Sequence, residues 1–274
     1  MTGRSRGLVA AGIVVLTLAG AACGYDRDSH PTDPGYGETA AIAAPGGSAV
    51  PAAGRSDFRV FTATGDIAAR LAQFRTALGD ALNVTTPGNP SGRREIRWDG
   101  APAGELPGDF FNTTVKAGAI FSTGGTGFLN SGNDFSDVNP AYADDFSAFS
   151  PPKTFMPIGS AEMTVSFRVA GTDTPAATRG FGVVFSDVER VGSASIKLLD
   201  AQGRSLGQYH APVRSDPAGF SFVGVVFDAA VVAEVRIASG QRALSPGVED
   251  LSDGGNLDLV VMDDYLYAEP QAIP

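Results

Sequence analysis

SIKLLDAQGRSLGQYHAP, residues 195 to 212, is the stretch whose reading decides the fold. Two strand-length runs, SIKLLD and SLGQYHAP, flank DAQGR (200 to 204), whose glycine suits it to the turn of a β-hairpin. The same texture continues on both sides. MTVSFRV (163 to 169), GFGVVFSDV (180 to 188), FSFVGVVFD (220 to 228), VAEVRIASG (232 to 240) and LVVMDDYLY (259 to 267) are all of strand length, and several alternate apolar with polar residues. Gly, Pro, Asp and Asn separate them, and no helical period intervenes from about Arg94 onward. Regularly spaced strands of this kind predict an all-β chain built as an antiparallel β-sandwich, with a jelly roll as the common version that closes on itself at this length.

Upstream, TGDIAARLAQFRTALGDALN (64 to 83) places Ile67, Leu71, Phe74 and Leu78 at helical spacing, with Asp66 available to cap the start and Gly79 to end it. One short amphipathic helix is expected, with its apolar stripe against the domain. This gives a helix-containing lead-in over 55–92 and a sandwich domain over 93–270.

The first 22 residues carry Arg4 and Arg6 ahead of an apolar run and then Ala19, Gly20, Ala21 and Ala22, the order of a secretory signal that is too short for a comfortable membrane span. Cys23 is the sole cysteine, so no internal disulfide can form. LAGAAC resembles a lipobox, which makes Cys23 the candidate lipidation site and a lipid anchor on it the expected link to the membrane of the bacterial cell envelope. Cleavage at Ala19-Gly20-Ala21 would instead release a secreted protein with a terminal thiol. Residues 23–54, rich in Gly, Pro, Ala and Asp, read as a flexible tether.

The chain has 20 basic and 30 acidic residues, and removal of Arg4 and Arg6 with the signal leaves 18 against 30, about −12. That balance excludes a basic nucleic-acid footprint and favours solubility and cation binding. A monomer is expected.

Several blocks, FRTALG (74 to 79), GRREIRWDG (92 to 100), LPGDFFN (106 to 112), FSTGGTGF (121 to 128), FSPPKTFMPIGS (149 to 160), TRGFGVVFSDVE (178 to 189) and DLVVMDDYLYAEP (258 to 270), resemble a group of exported bacterial β-sandwich lipoproteins. The resemblance covers roughly residues 70 to 270 and implies a jelly-roll fold similar to carbohydrate-binding modules; it implies no reaction and no catalytic residue. The last block is also similar to the closing strand of such modules, where an aspartate often helps to hold a structural calcium.

For chemistry, the folded part has a single histidine, His210, no cysteine pair and no HExxH, which disfavours both a Ser/His/acid set and a zinc site. A glycosidase needs two acids about 5 to 10 Å apart across a cleft, and Glu95, Asp99, Asp187, Glu189, Asp263 and Asp264 are candidates whose spacing selects no pair. Calcium takes six to eight oxygen ligands and can neutralise a carboxylate that is costly to bury. If the first and last strands lie together, Glu95 or Asp99 comes near Asp263 or Asp264, and these four are the candidate metal ligands. An arginine partner, Arg97 or Arg179, and an exposed sheet edge are the alternatives. Strict alternation puts Asp264 on the face of Val260, Met262 and Leu266 and Asp263 on that of Val261 and Tyr265, so the two would serve different ends.

The loop LNSGNDFSDVNPAYADDF is rich in rings and acids. Phe135, Tyr142 and Phe146 with Asp144 and Asp145 could form a sugar-binding surface, or the loop could fold back and bury its own rings as a lid. Trp98 reads as core. The combined expectation is a non-catalytic exported surface module that binds carbohydrate on a calcium-stabilised scaffold. Its rivals are a structural or protein-interaction envelope component and a polysaccharide-active enzyme using a carboxylate pair.

Overall fold

The computed structural model describes residues 57–84, 88–215 and 219–274. The signal, Cys23 and the tether lie outside them. The hairpin is where the sequence puts it: β10 (Ala194–Leu199) pairs antiparallel with β11 (Ser205–His210). Asp200 Oδ1 accepts from the amides of Gln202 (3.0 Å) and Arg204 (2.9 Å), and Gly203 takes the positive φ of +74° that the turn requires.

Two antiparallel sheets form a β-sandwich. The smaller has the order β11, β10, β13 (Glu234–Ser239), β7 (Glu162–Phe167), β4 (Ala119–Thr123). The larger has the order β1 (Phe58–Gly65), β12 (Phe220–Phe227), β9 (Gly180–Ser186), β14 (Val261–Ala268), β6 (Thr154–Ile158), β5 (Gly127–Ser131), β3 (Gly104–Leu106), and β2 (Arg93–Ile96) pairs with β14 beyond the end of β6. A small ladder joins β8 (Ala176–Ala177) to β15 (Gln271–Ala272). The lead-in is more integrated than the sequence suggests. Its first segment is β1, which pairs along its length with β12 as an edge strand of the larger sheet.

Burial explains the different textures of the strands. β7 and β13 alternate because one face meets the core and the other meets water. β9 and β14 are buried throughout, because the larger sheet is covered on both faces. Its inner face packs on the smaller sheet around Trp98, Phe121, Phe155, Phe181, Tyr265 and Tyr267. Trp98 lies parallel to Phe155 with centroids 3.7 Å apart, and meets Tyr265 edge-on at 5.1 Å.

The outer face carries α1 (Ala68–Leu78), whose Leu71, Phe74 and Leu78 are buried with Val184, Phe222 and Leu266. Asp66 accepts from the Ala68 amide at 3.1 Å, and Gly79 ends the helix at φ +132°. Gly182 and Gly224 are direct partners in the β9–β12 ladder. A Cβ on either would come within 2.7 Å of the Phe74 ring, so the glycines of GFGVVF and FVGVVF form the seat for the helix. Among the described residues no helix is long and apolar enough to cross a membrane.

Candidate functional site

The expectation for VVMDDYLY rested on strict alternation, and the structure breaks that alternation at the aspartates. In the β14–β9 ladder Met262 pairs with Phe185 and Tyr265 with Val183, so Asp263 and Asp264 together stand opposite Val184. This is a β-bulge, two residues against one. It resets the phase: Met262 and Tyr265 both reach the inner core, where the Tyr265 hydroxyl lies 3.0 Å from Met262 Sδ. The two aspartates are thereby grouped, contrary to the separate faces expected. Ser150 Oγ lies 3.2 Å from Asp263 Oδ1 and 2.5 Å from Asp264 Oδ1. Asp263 Oδ2 accepts the amides of Phe149 (2.5 Å) and Ser150 (3.1 Å).

As expected, β2 lies beside β14, with Glu95 opposite Leu266. What neutralises the acids there is arginine. Glu95 accepts from Arg75 (2.8 Å), Arg93 (2.8 Å) and Arg97 (3.0 Å), and Arg75 and Arg97 each come within 4.0 Å of Asp264 Oδ2. Burial alone would raise the Glu95 pKa, but these guanidinium groups outweigh it and hold it at about 2. Asp99 does not join the group; its carboxylate faces the Lys153 amide at 3.3 Å. Arg179, the other arginine considered, donates to the Ala77 carbonyl instead. Guanidinium, amide and hydroxyl donors therefore surround Glu95, Asp263 and Asp264 in the place where a calcium ion was expected, and Glu95 and Asp264 already have arginine counter-charges.

Burial first, and the Asp264 charge second, push Asp263 up to about 8. The geometry gives the same answer. A serine hydroxyl carries one proton and can donate to only one carboxylate, so the second contact is satisfied when Asp263 itself is protonated.

The ring-rich loop corrects the expected sugar platform. Phe135, Tyr142 and Phe146 are 1%, 0% and 3% exposed, with Phe146 packed against both of the others. The loop folds back and seats its rings on the sandwich. The Tyr142 hydroxyl donates towards the carbonyls of Ser245 (3.1 Å) and Val248 (2.9 Å), while Asp144 is exposed and Asp145 half-buried beside it. Buried rings cannot offer their faces to a ligand.

Two arrangements went unrecognised in the sequence. The first is acidic. Asp187, Glu189 and Asp250 each offer an oxygen within 4.8 Å of the others, an arrangement that could hold a metal ion. In the sequence Asp187 and Glu189 stand out only as candidates for a catalytic pair, and Asp250, some sixty residues on in VEDLSDGG, gives no signal of joining them.

The second is polar. On the outward face of the smaller sheet, cross-strand pairing aligns Ser122, Thr164, Arg236, Lys197 and Gln208 in one row over β4, β7, β13, β10 and β11. With Glu162 they line an open groove of about 420 Å³. Its signal was present as the polar half of each alternating strand, but register alone decides which polar residues are neighbours.

No protein-family model matches this sequence, and neither does any curated protein. Among solved structures, TmCBM61 in complex with beta-1,4-galactotriose is similar at 10% identity over 63% of this chain and 100% of that one, with a TM-score of 0.29. The enzymatically active domain of tailspike protein 4 from bacteriophage CBA120 is similar at 16% identity over 60% of this chain and 20% of that one, with a TM-score of 0.27.

Proposed function

We propose that the protein is a non-catalytic, exported surface module, lipid-anchored through Cys23, that binds carbohydrate in the groove across the smaller sheet. The observation that carries this reading is the cross-strand row Ser122, Thr164, Arg236, Lys197 and Gln208. Five strands at about 4.8 Å spacing give a row roughly 19 Å long, the scale of a short oligosaccharide. Hydroxyl, amide, ammonium and guanidinium groups can all hydrogen-bond sugar hydroxyls, and Lys197 with Arg236 favours a sugar that carries carboxylates or sulfates. A rigid sheet fixes the backbone that carries these donors, so only their side chains are ordered on binding.

A glycan array probed with the chain from Arg55 onward tests it. Binding to acidic glycans that is lost in Lys197→Ala and Arg236→Ala supports the reading. Silence across the array, or binding indifferent to both substitutions, ends it. Cleavage of a bound glycan would favour the enzyme reading.

A second reading, a protein-interaction component of the envelope, draws on the edge strand β1, where Phe58 and Val60 are each 44% exposed beside an open row of backbone groups. It predicts that Val60→Lys weakens partner capture and leaves any glycan binding intact.

A further inference from the structure

The acidic group at Asp187, Glu189 and Asp250 lies apart from both the groove and the arginine-neutralised aspartates. It is assembled from distant segments. Asp187 and Glu189 follow β9, and Asp250 and Asp258 belong to the loop that leads into β14. Asp145, from the connection between β5 and β6, adds its field to Asp250 and Glu189. Asp187 has a left-handed backbone, φ +72°, unusual for a residue with a side chain.

The hydrogen bonding is incomplete in a patterned way. Arg214 lies 2.7 Å from Asp187 Oδ1 and 2.5 Å from Glu189 Oε1, which leaves Asp187 Oδ2 and Glu189 Oε2 without partners. The Asp187 contact is close but lacks hydrogen-bond alignment. Asp258 spends Oδ2 on the amides of Glu189 (3.0 Å) and Arg190 (2.6 Å), and its Oδ1 is free. Asp145 Oδ2 is free as well. Asp250 is fixed by the Leu259 amide at 2.7 Å and by Ser252 at 2.7 Å.

Asp187 and Asp258 are 2% and 0% exposed, and a buried carboxylate oxygen left without a donor is costly. Of the eight buried side-chain atoms without partners among the described residues, five are carboxylate oxygens of this group. Arg214 pairs with Asp187 and Glu189, and among the described residues no ion pair is formed by Asp145, Asp250 or Asp258, so the shortage is of positive charge.

We propose that Asp187, Glu189 and Asp250 bind one calcium ion, with Arg214, paired to Asp187 and Glu189, acting as a positioning residue. Two oxygens that each lie about 2.4 Å from one ion are at most about 4.8 Å apart, and the three oxygens of the triad lie within that limit of one another. The donors are all hard oxygens with no histidine or cysteine, which selects calcium or magnesium over zinc. Three carboxylates on loops suit the large, irregular calcium shell better than the strict octahedron of magnesium. The ion would tie the loop after β9 to the loop before β14. This inference does not depend on the groove binding sugar.

The test is titration calorimetry and thermal melting of the full chain after chelation, with calcium and magnesium chlorides as probes. One calcium per chain is expected, with a Kd of about 0.1 to 1 mM, as in extracellular modules, and magnesium at least about tenfold weaker. Tenfold excess over Kd should raise the melting temperature by about 3–5 °C. Asp187→Asn and Glu189→Gln should each weaken binding by about tenfold or more, and Asp264→Asn, in the arginine cluster, should bind as wild type does. Absence of saturable binding and of any melting shift in the wild-type chain overturns the proposal. So does wild-type affinity in Glu189→Gln, the ligand that is least buried of Asp187, Glu189 and Asp250 and whose loss the fold tolerates best. Loss in Asp264→Asn alone would return the ion to β14 and equally overturn it.

Discussion

Asp263 and Asp264, adjacent in the chain, point to the same side of β14 and close on a single hydroxyl, Ser150 Oγ, at 3.2 and 2.5 Å. Regular strand geometry forbids this for neighbours; the bulge opposite Val184 permits it. The same irregularity exposes the Asp263 carbonyl to the indole of Trp98, which donates to it at 2.9 Å.

The pair should give stability a dependence on pH. Asp263 has a folded pKa of about 8, above the ordinary carboxylate value, so the fold favours its protonated form. Its contribution is fully present below about pH 4 and is lost as pH rises through about 8. Glu95 has the opposite sign: held at about 2, it stabilises above the ordinary carboxylate range and loses that effect as pH falls towards 2. Thermal melts in chelator at constant ionic strength should show stability falling from about pH 5 to pH 9. Asp263→Asn should reduce that alkaline slope, the remainder coming from Asp187 and Asp145, which burial also raises, to about 8 and about 7, and should leave the acid limb, which Glu95→Gln should reduce. An unchanged alkaline slope in Asp263→Asn would refute the protonated pair.

Phe74 rests on the paired glycines Gly182 and Gly224. Gly224→Ala should destabilise by about 1–3 kcal/mol through overpacking, and Phe74→Ala by about 3–5 kcal/mol through the cavity left between α1 and the sheet. Combining Gly224→Ala with Phe74→Leu should cost less than the sum of the two, because the smaller side chain makes room for the new methyl. Denaturant melts of the four variants decide it; strict additivity would argue against the seat.

Arg94 and Glu269 form a bidentate pair at 2.7 and 2.8 Å, each about 1% exposed, with Arg94 also donating to the Lys116 carbonyl. Removing one member strands the other's charge, so Arg94→Met or Glu269→Gln should cost about 3–5 kcal/mol. The double Met variant should cost less than the two single losses added together.

Trp98 is the one tryptophan in the chain, so its fluorescence reports unfolding of the inner core directly. Trp98→Phe should cost about 1–3 kcal/mol beyond the lost packing, because the Asp263 carbonyl is left without its donor. A negligible effect would show that this bond contributes nothing to holding the bulge.

Period-two runs, the DAQGR turn and the helical spacing of Leu71, Phe74 and Leu78 were legible because each reflects local geometry and one-sided burial. The nearness of β2 to β14 followed from treating the strands as a closed sandwich. β1 was missed because an edge strand half in water carries little apolar pattern: FRVFTATG is mostly exposed or half-exposed. The buried state of Phe135, Tyr142 and Phe146 could not be told from a binding surface, since rings in a loop serve either end until the loop's path is known.

By itself the sequence determined a β-rich chain with its hairpin and its helix, because side-chain periodicity and turn chemistry act over a few residues. Only the tertiary structure decided the bulge that pairs Asp263 with Asp264, the arginines that neutralise Glu95, the union of Asp187 and Glu189 with Asp250, and the polar row from Ser122 to Gln208. Each of these depends on strand register and loop closure between residues far apart in the chain, where cooperative packing of the whole fold, and no local preference, sets which charges meet.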